Sequence, residues 1–438
     1  VSATRANLKI SQAALALREA EQPLRVLGLL AWPLEVRNRF IETGGREMPV
    51  VAYEEADTRA VDEALMRAWP LIEQSGPARD WLGRTADRIA TASRMIRHLG
   101  EPTFFECSTQ LYGAPNLTLA DSSQSPLELA RRLRKIIDRM SHIDLGAPDN
   151  PTATADDVAR RMSVAVQKFF GEEAPAIEVV DNLSANATAG PDRIRIRSTA
   201  RFTDRDVEQL VNHEAGIHVA TGLNGRHQTD LPILAASHPG TTRTQEGLAV
   251  FAEFITGCMD VDRLSRLTDR VLGIHMAAEG ADFIEVYNHF LDQVNNSKSA
   301  PGQQSTPLAN QKSAFEQTRR VFRGGILTGG APFTKDVVYL DGLLRVHDFL
   351  RSVVAAGRAD VLMLLFCGKM DLEDIPVLCE LASLGLVKPP KFLPPWATDR
   401  RFLVSYLAYS GFLGQVRMGH VHTKYAEILR DSPVVTFR

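Results

Sequence analysis

Apolar residues recur at helical spacing through the first part of the chain. Residues 57–75 carry Ala60, Leu65, Ala68 and Leu71, and residues 78–98 carry Ile89, Met95 and Ile96, with Arg and Glu dense between them. Pro126 opens a strongly periodic run to about Met140, through Leu127, Leu129, Leu133, Ile136 and Ile137. A further helix is predicted over about 154–170, ending near Gly171. The pattern then changes. Ile177-Glu-Val-Val-Asp-Asn-Leu183 and Arg193-Ile-Arg-Ile-Arg-Ser198 alternate as strands do, with a turn over Asn186-Ala-Thr-Ala-Gly-Pro191 between them. Arg193, Arg195 and Arg197 share one face of the second strand. That is either an edge strand protected by charge or an edge that lines up a peptide beside an active site. Beyond it the pattern is helical again, with loops predicted at 222–244, 296–312 and 389–397. The run Gly146-Ala-Pro-Asp-Asn-Pro-Thr152 is the best internal boundary. It divides an N-terminal helical region over 1–150 from a second region over 151–438. The class is α+β, predominantly helical, with a small sheet.

One segment carries candidate chemistry. Thr203, with Asp206 three residues later, is a helix start of capping-box type, Val207, Leu210 and Val211 give an apolar face, and Gly222 is a stop. Inside lies His213-Glu214-Ala-Gly-Ile-His218. Zinc peptidases carry two His four apart on one helical face. Here the spacing is five, and on a regular helix five steps of about 100° separate two side chains by roughly 140°. A shared metal therefore demands a widened, π-type turn between the two His, and such turns favour functional sites. Gly216 sits inside the spacer and could relax that turn. The alternative is two partly exposed histidines on a surface helix.

Thr244-Gln-Glu246-Gly-Leu-Ala-Val-Phe-Ala-Glu-Phe254 begins another amphipathic helix, with Glu246 expected in its first turn. A catalytic zinc site has three protein ligands and an open position, and His-His-Glu is one known set. The competing role for Glu246 is to favour the positive end of its helix.

Composition narrows the classes. The chain has 438 residues, with Lys+Arg 50 against Asp+Glu 53, a net charge of −3. That excludes the basic surface of a general nucleic-acid binder. Hydrophobic residues at 44% and charged residues at 24% are ordinary for a globular protein. Four cysteines, none spaced as C-x-x-C, offer no zinc knuckle or redox pair and fit a reducing, cytoplasmic setting. No secretory leader and no apolar run of about 18 residues is visible, so no membrane span is expected. The oligomeric state is open.

The words His213-Glu-Ala-Gly-Ile-His218, Asn224-Gly-Arg-His-Gln228 and Thr244-Gln-Glu-Gly-Leu-Ala resemble the QEGLA-motif proteins of bacteria. Those are similar to the animal microtubule-associated tyrosine carboxypeptidases. The likeness continues through Arg323-Gly-Gly, Phe333-Thr-Lys-Asp-Val-Val-Tyr339 and Phe366-Cys-Gly-Lys-Met-Asp-Leu-Glu373. One departure is Gln228-Thr-Asp, where relatives are expected to have Gln-Pro. The resemblance implies a gluzincin-like metallopeptidase core. It makes His213, His218 and Glu246 the zinc (Zn2+) ligands and Glu214 the catalytic base.

The implied activity is a metallocarboxypeptidase acting on a peptide or protein C-terminus. Glu214, adjacent to a ligand, is placed to take a proton from acidified water and pass it to the leaving amine. Oxyanion donors are sought among Tyr287, Tyr339 and His227. Arg226, Arg243, Arg323 and Lys335 are candidates for the terminal carboxylate. Lys335 and Tyr339, four apart, share a helix face. The glycine-rich Arg323–Pro332 loop lacks the order of a phosphate cradle and is read as a tight backbone approach. The second functional class is a metal-binding regulatory or interaction protein without hydrolysis. Glu214 favours the enzyme, because a purely structural zinc site closes its fourth position with Cys or His.

Overall fold

The computed structural model describes residues 2–119, 123–140, 143, 151–181, 183, 186–296 and 306–415. The linker boundary near residue 150, most of the loop expected at 296–312 and the His420-Val-His422 pair lie outside them. The described chain is mostly helical, with a three-stranded and a two-stranded sheet. The periodic runs form the helices Arg59–Ile72, Arg79–Arg97, Pro126–Arg139 and Ala155–Phe170. Ser125 and Glu128 close a capping box on the third, and Thr154 and Asp157 on the fourth. Gly171, at φ +60°, ends that fourth helix where a side chain would be strained.

The strands correct one expectation. Ala176–Val180 pairs parallel with Arg193–Arg197, with Ile177 opposite Ile194. Ala187–Ala189, expected within a turn, adds to the other side of Arg193–Arg197 as an antiparallel strand. Arg193–Arg197 is therefore the central strand and not an edge. Its apolar residues Ile194 and Ile196 are fully buried in a small core with Val158, Met162 and Val166. On the other face Arg193 and Arg195 lie 3.3 and 3.5 Å from Glu178.

The main core is continuous across the chain. Ile10, Leu17, Leu82 and Ile89 belong to the same buried cluster as Ile217, Leu248, Phe251 and Leu378. Each fully buried aliphatic or aromatic side chain of this kind contributes about 1.5–3 kcal/mol. A third cluster packs Trp32 and Phe40 against Phe283, Tyr287 and Phe315. Helices Pro239–Ile255 and Val338–Ala355 meet backbone to backbone. A Cβ on Gly247 would stand 2.2 Å from the Gly342 carbonyl oxygen, so the glycine after Glu246 is what permits the contact. That approach sets Glu246 beside Lys335 and Tyr339.

The segment 222–244, expected as a loop, is largely ordered as helix. Ala220–Arg226, a 3₁₀ turn Pro232–Ala235 and the start of Pro239–Ile255 occupy it. Gly222 does not stop its helix. It lies against Pro191, and a Cβ there would be 3.3 Å from the Pro191 Cβ. No helix is long and apolar enough to cross a membrane among the described residues.

Candidate metal centre

The site is built on one continuous helical path. Thr203 caps it: its hydroxyl accepts from the Asp206 amide at 3.0 Å, and Asp206 accepts from the Thr203 amide at 2.8 Å. A regular helix, Asp204–Leu210, leads into a π-helical stretch, Val211–Val219, and then into Ala220–Arg226. The π-stretch spans the whole His213–His218 spacing. In π geometry residues five apart are hydrogen-bonded neighbours, so both imidazoles project from one face. Their ring centroids are 4.9 Å apart at 77°. At Gly216, inside the spacer, a Cβ would meet nothing closer than 3.5 Å, so there is room for a methyl group.

Glu246 arrives from the facing helix. That helix begins at Pro239, so Glu246 stands about two turns in and not in the first turn. Attraction to the helix N-terminus therefore does not explain it, since that effect fades within the first turn. Glu246 Oε2 is 3.7 Å from His213 Nε2 and 3.7 Å from His218 Nε2. Lys335 Nζ donates to the other oxygen, Oε1, at 3.1 Å. One donor atom from each of the three residues falls within a 4.8 Å group, the only such cluster of three among the described residues. Tetrahedral ligands about 2.1 Å from one ion stand about 3.4 Å from each other, so the set needs only a small contraction to hold a divalent cation.

The support behind this set fits a metal as well. His213 Nδ1 is 2.6 Å from Glu253 Oε1, and Glu253 is fully buried. Arg263 grips Glu253 with two hydrogen bonds of 2.8 Å. A carboxylate on the far nitrogen holds a ligand imidazole in the tautomer whose Nε2 lone pair faces the metal. Burial alone would raise the Glu253 carboxyl; Arg263 and His213 overcome it and hold it well below the carboxylate range. With no ion present, burial lowers His213, but Glu246 and Glu253 together bring it up to about 10. Metal uptake must displace that proton. Burial also works against the Glu246 carboxylate, and Lys335 and the two imidazoles keep it ionised.

Sequence reasoning missed Glu253 and Arg263. Glu253 had a signal, for it follows Glu246 by seven residues and so returns to the same helical face. It also missed Lys369, a buried lysine whose Nζ donates to Ser237 Oγ. Burial pushes Lys369 down to about 8, against the pull of Glu21, Glu246 and Glu214. Glu21 ends the first helix, Ser2–Glu21, so the N-terminal region reaches the neighbourhood of the site.

The remaining candidates are placed as follows. Glu214 is half-buried and, among the described residues, holds no ion pair. Tyr339 is 9% exposed, with Lys335 Nζ 5.2 Å from its ring and Arg320 Nη2 donating to its hydroxyl at 3.4 Å. Arg323 is buried on the ring of Phe333. Arg226 is held by Asp192, with hydrogen bonds of 2.7 and 2.6 Å, and His227 by Glu173 at 2.8 Å. Arg243 pairs with Asp341 at 2.8 Å and donates to the Tyr112 carbonyl. Tyr287 packs edge-on against Phe40 in the third core cluster. Gln228, the point of departure, is 1% exposed and bonds the Cys367 and Lys388 carbonyls and the Lys388 amide.

A sequence model of the microtubule-associated tyrosine carboxypeptidase family matches residues 38–415. The chain belongs to that family. The match covers the site helix, the Glu246 helix, Lys335 and Lys369, and its members are carboxypeptidases. No curated protein matches the chain. Family membership makes the protein an enzyme, and the His213, His218 and Glu246 group could hold a metal ion.

Proposed function

We propose that the protein is a zinc-dependent metallocarboxypeptidase with a gluzincin-like core. The observation that carries this reading is the convergence of His213, His218 and Glu246 across a π-helical turn, with an unpaired Glu214 beside them. Two imidazoles and a carboxylate, with no thiolate, suit a catalytic zinc ion and leave a position open. A bound zinc ion supplies Lewis acidity toward water and toward the scissile carbonyl.

The chain's own residues supply the rest. Glu214 takes the proton of the attacking water and delivers it to the leaving amine nitrogen. Glu253 and Arg263 keep His213 oriented throughout. The Tyr339 hydroxyl, backed by Arg320, donates to the carbonyl oxygen as negative charge develops there. Lys335 neutralises the outer oxygen of Glu246. The family name points to a terminal tyrosine on a cytoplasmic protein as the residue removed. The helices before residue 150 form a region distinct from the catalytic one while sharing its core.

Peptides with varied C-termini, incubated with zinc-loaded protein and read by mass spectrometry, test this. The expected result is loss of single C-terminal residues, slowed about 10²–10⁴-fold by Glu214→Gln with zinc content unchanged. Internal cuts would overturn the carboxypeptidase assignment. Unchanged trimming by the variant would remove Glu214 from its role.

A further inference from the structure

Two buried lysines lie near the site, and the fold treats them differently. Lys335 and Lys369 are each 7% exposed. Lys335 donates to Glu246; burial works to lower it, and Tyr339 and Glu246 hold it above the ordinary lysine range. Lys369 makes no ion pair among the described residues, and its Nζ donates to the Ser237 hydroxyl. Ser237 itself is exposed. The backbone fixes the two residues against each other. The Lys369 amide donates to the Leu234 carbonyl at 2.7 Å. Gly368 permits that approach, since a Cβ there would stand 2.7 Å from the Leu234 carbonyl oxygen. Ser237 follows Leu234 in the short link between the 3₁₀ turn Pro232–Ala235 and the helix Pro239–Ile255.

We propose that Ser237 and Lys369 are a nucleophile–base pair, a second reactive site that takes acyl groups from carboxylic esters. Such chemistry needs a hydroxyl open to the acyl donor and a base hydrogen-bonded to it. The exposed Ser237 hydroxyl and the buried Lys369 amine meet both needs. The amine must also lose its proton near neutrality. Burial pushes Lys369 down to about 8. The charges facing it are Glu21 and Arg18 of the first helix, Glu246 of the facing helix and Glu214 of the π-stretch. The three acids do not reverse the shift. His238, next to Ser237, is pushed down to about 3 by burial and by Arg88, so it stays neutral beside the pair. The following helix favours the same reaction. Ser237 stands two positions before Pro239, and that helix has no side-chain cap. Its positive end stabilises the negative charge that develops during attack.

Neutral Lys369 takes the Ser237 proton as Oγ bonds to the ester carbonyl carbon. The bond from that carbon to the leaving alcohol oxygen then breaks, and the alcohol takes the proton from Lys369. Water repeats the sequence on the acyl-serine, which releases the carboxylic acid and restores the hydroxyl. His213, His218 and Glu246 take no part in these steps, so the pair acts independently of the metal centre. Glu21 faces the Ser237 backbone amide, and the first helix thereby helps to hold the serine in place.

The test treats the zinc-loaded chain with two probes, a fluorophosphonate that traps activated serines and p-nitrophenyl acetate. Peptide mapping by mass spectrometry is expected to find the phosphonate on Ser237, formed about a hundredfold faster than on the exposed Ser163. The ester should give a burst of nitrophenolate and an acetyl group on Ser237. Labelling should rise about tenfold per pH unit up to about 8 and level off above it, as the amine loses its proton. Ser237→Ala should abolish both signals. Lys369→Arg keeps a charge and a donor but never becomes a base. It should slow labelling about 10²–10⁴-fold while the melting temperature holds. A lysine that merely supports the fold would let Lys369→Arg label like its parent, and that result overturns the pair. So does labelling of Ser237 no faster than of Ser163, or a phosphonate adduct without the nitrophenolate burst. If Lys369→Arg melts well below its parent, the wild-type pH profile decides, and a flat rate through pH 8 overturns the role of Lys369 as base.

Discussion

Arg263 and Arg323 are both buried guanidinium groups near the metal centre, and they are treated in opposite ways. Arg263 makes two 2.8 Å hydrogen bonds to Glu253, which in turn holds His213. Arg323 makes no ion pair among the described residues, its Nε has no hydrogen-bond partner, and the Asp336 carboxylate whose charge reaches it is gripped by Arg320. A buried charge with no counter-ion is costly to the fold. The first arrangement builds a metal site in advance of the metal. The second leaves a buried charge without a partner of its own. The difference separates a group that holds a ligand imidazole in place from one that the fold leaves without an ion pair.

The contrast breaks most visibly on the paired side. Glu253→Ala strands Arg263 and frees the His213 ring. It should lower stability by about 3–5 kcal/mol, read by denaturant unfolding, and weaken zinc affinity about 10–100-fold, read by chelator competition. If Glu253→Ala costs as little as a change at Arg323, the two sides do not differ as argued.

Lys369 lies between the extremes, with one hydroxyl partner and the field of Glu21. Its pKa, about 8 in the folded protein, is below the ordinary 10.5. Between those values the unfolded chain binds more protons, so this residue's contribution to stability rises with pH from about 8 to 10.5 and is flat and least favourable below 8. The stability difference between wild type and Lys369→Met should therefore change across that window and stay constant beneath it. Paired melts from pH 6 to 10.5 would show this. A difference constant throughout would mean that Lys369 is not held with a lowered pKa.

The smallest effect belongs to Gly216. There is room for a methyl group inside the π-stretch, so Gly216→Ala should change the melting temperature by no more than a degree or two and leave zinc bound. A large loss of zinc would show that the widened turn depends on glycine.

The parts of this site legible in the sequence were those governed by local rules. A five-residue His spacing demanded a widened turn, and Val211–Val219 is one. Thr203 and Asp206 marked the helix start and form the capping box. Glycine misled. Gly222 and Gly225 look like a stop and a loop, yet they sit inside a helix, where Pro191 and the Leu234–Ala235 backbone press against them. Steric demands imposed by distant segments leave no local pattern. For the same reason Arg193–Arg197 read as an edge when a third strand, Ala187–Ala189, covers it. Nor can spacing reveal which of many arginines lacks an acid, because Arg320, three residues before Arg323, takes the nearby Asp336.

The central claim is that one metal ion joins His213, His218 and Glu246 across the π-turn. X-ray absorption at the zinc edge, on protein loaded with one equivalent, tests it most directly. The expected first shell is two imidazole nitrogens with one or two oxygens at about 2.0–2.2 Å, with one imidazole lost in each His→Ala variant. A shell containing sulfur, or one unchanged when His213 or His218 is removed, would contradict it.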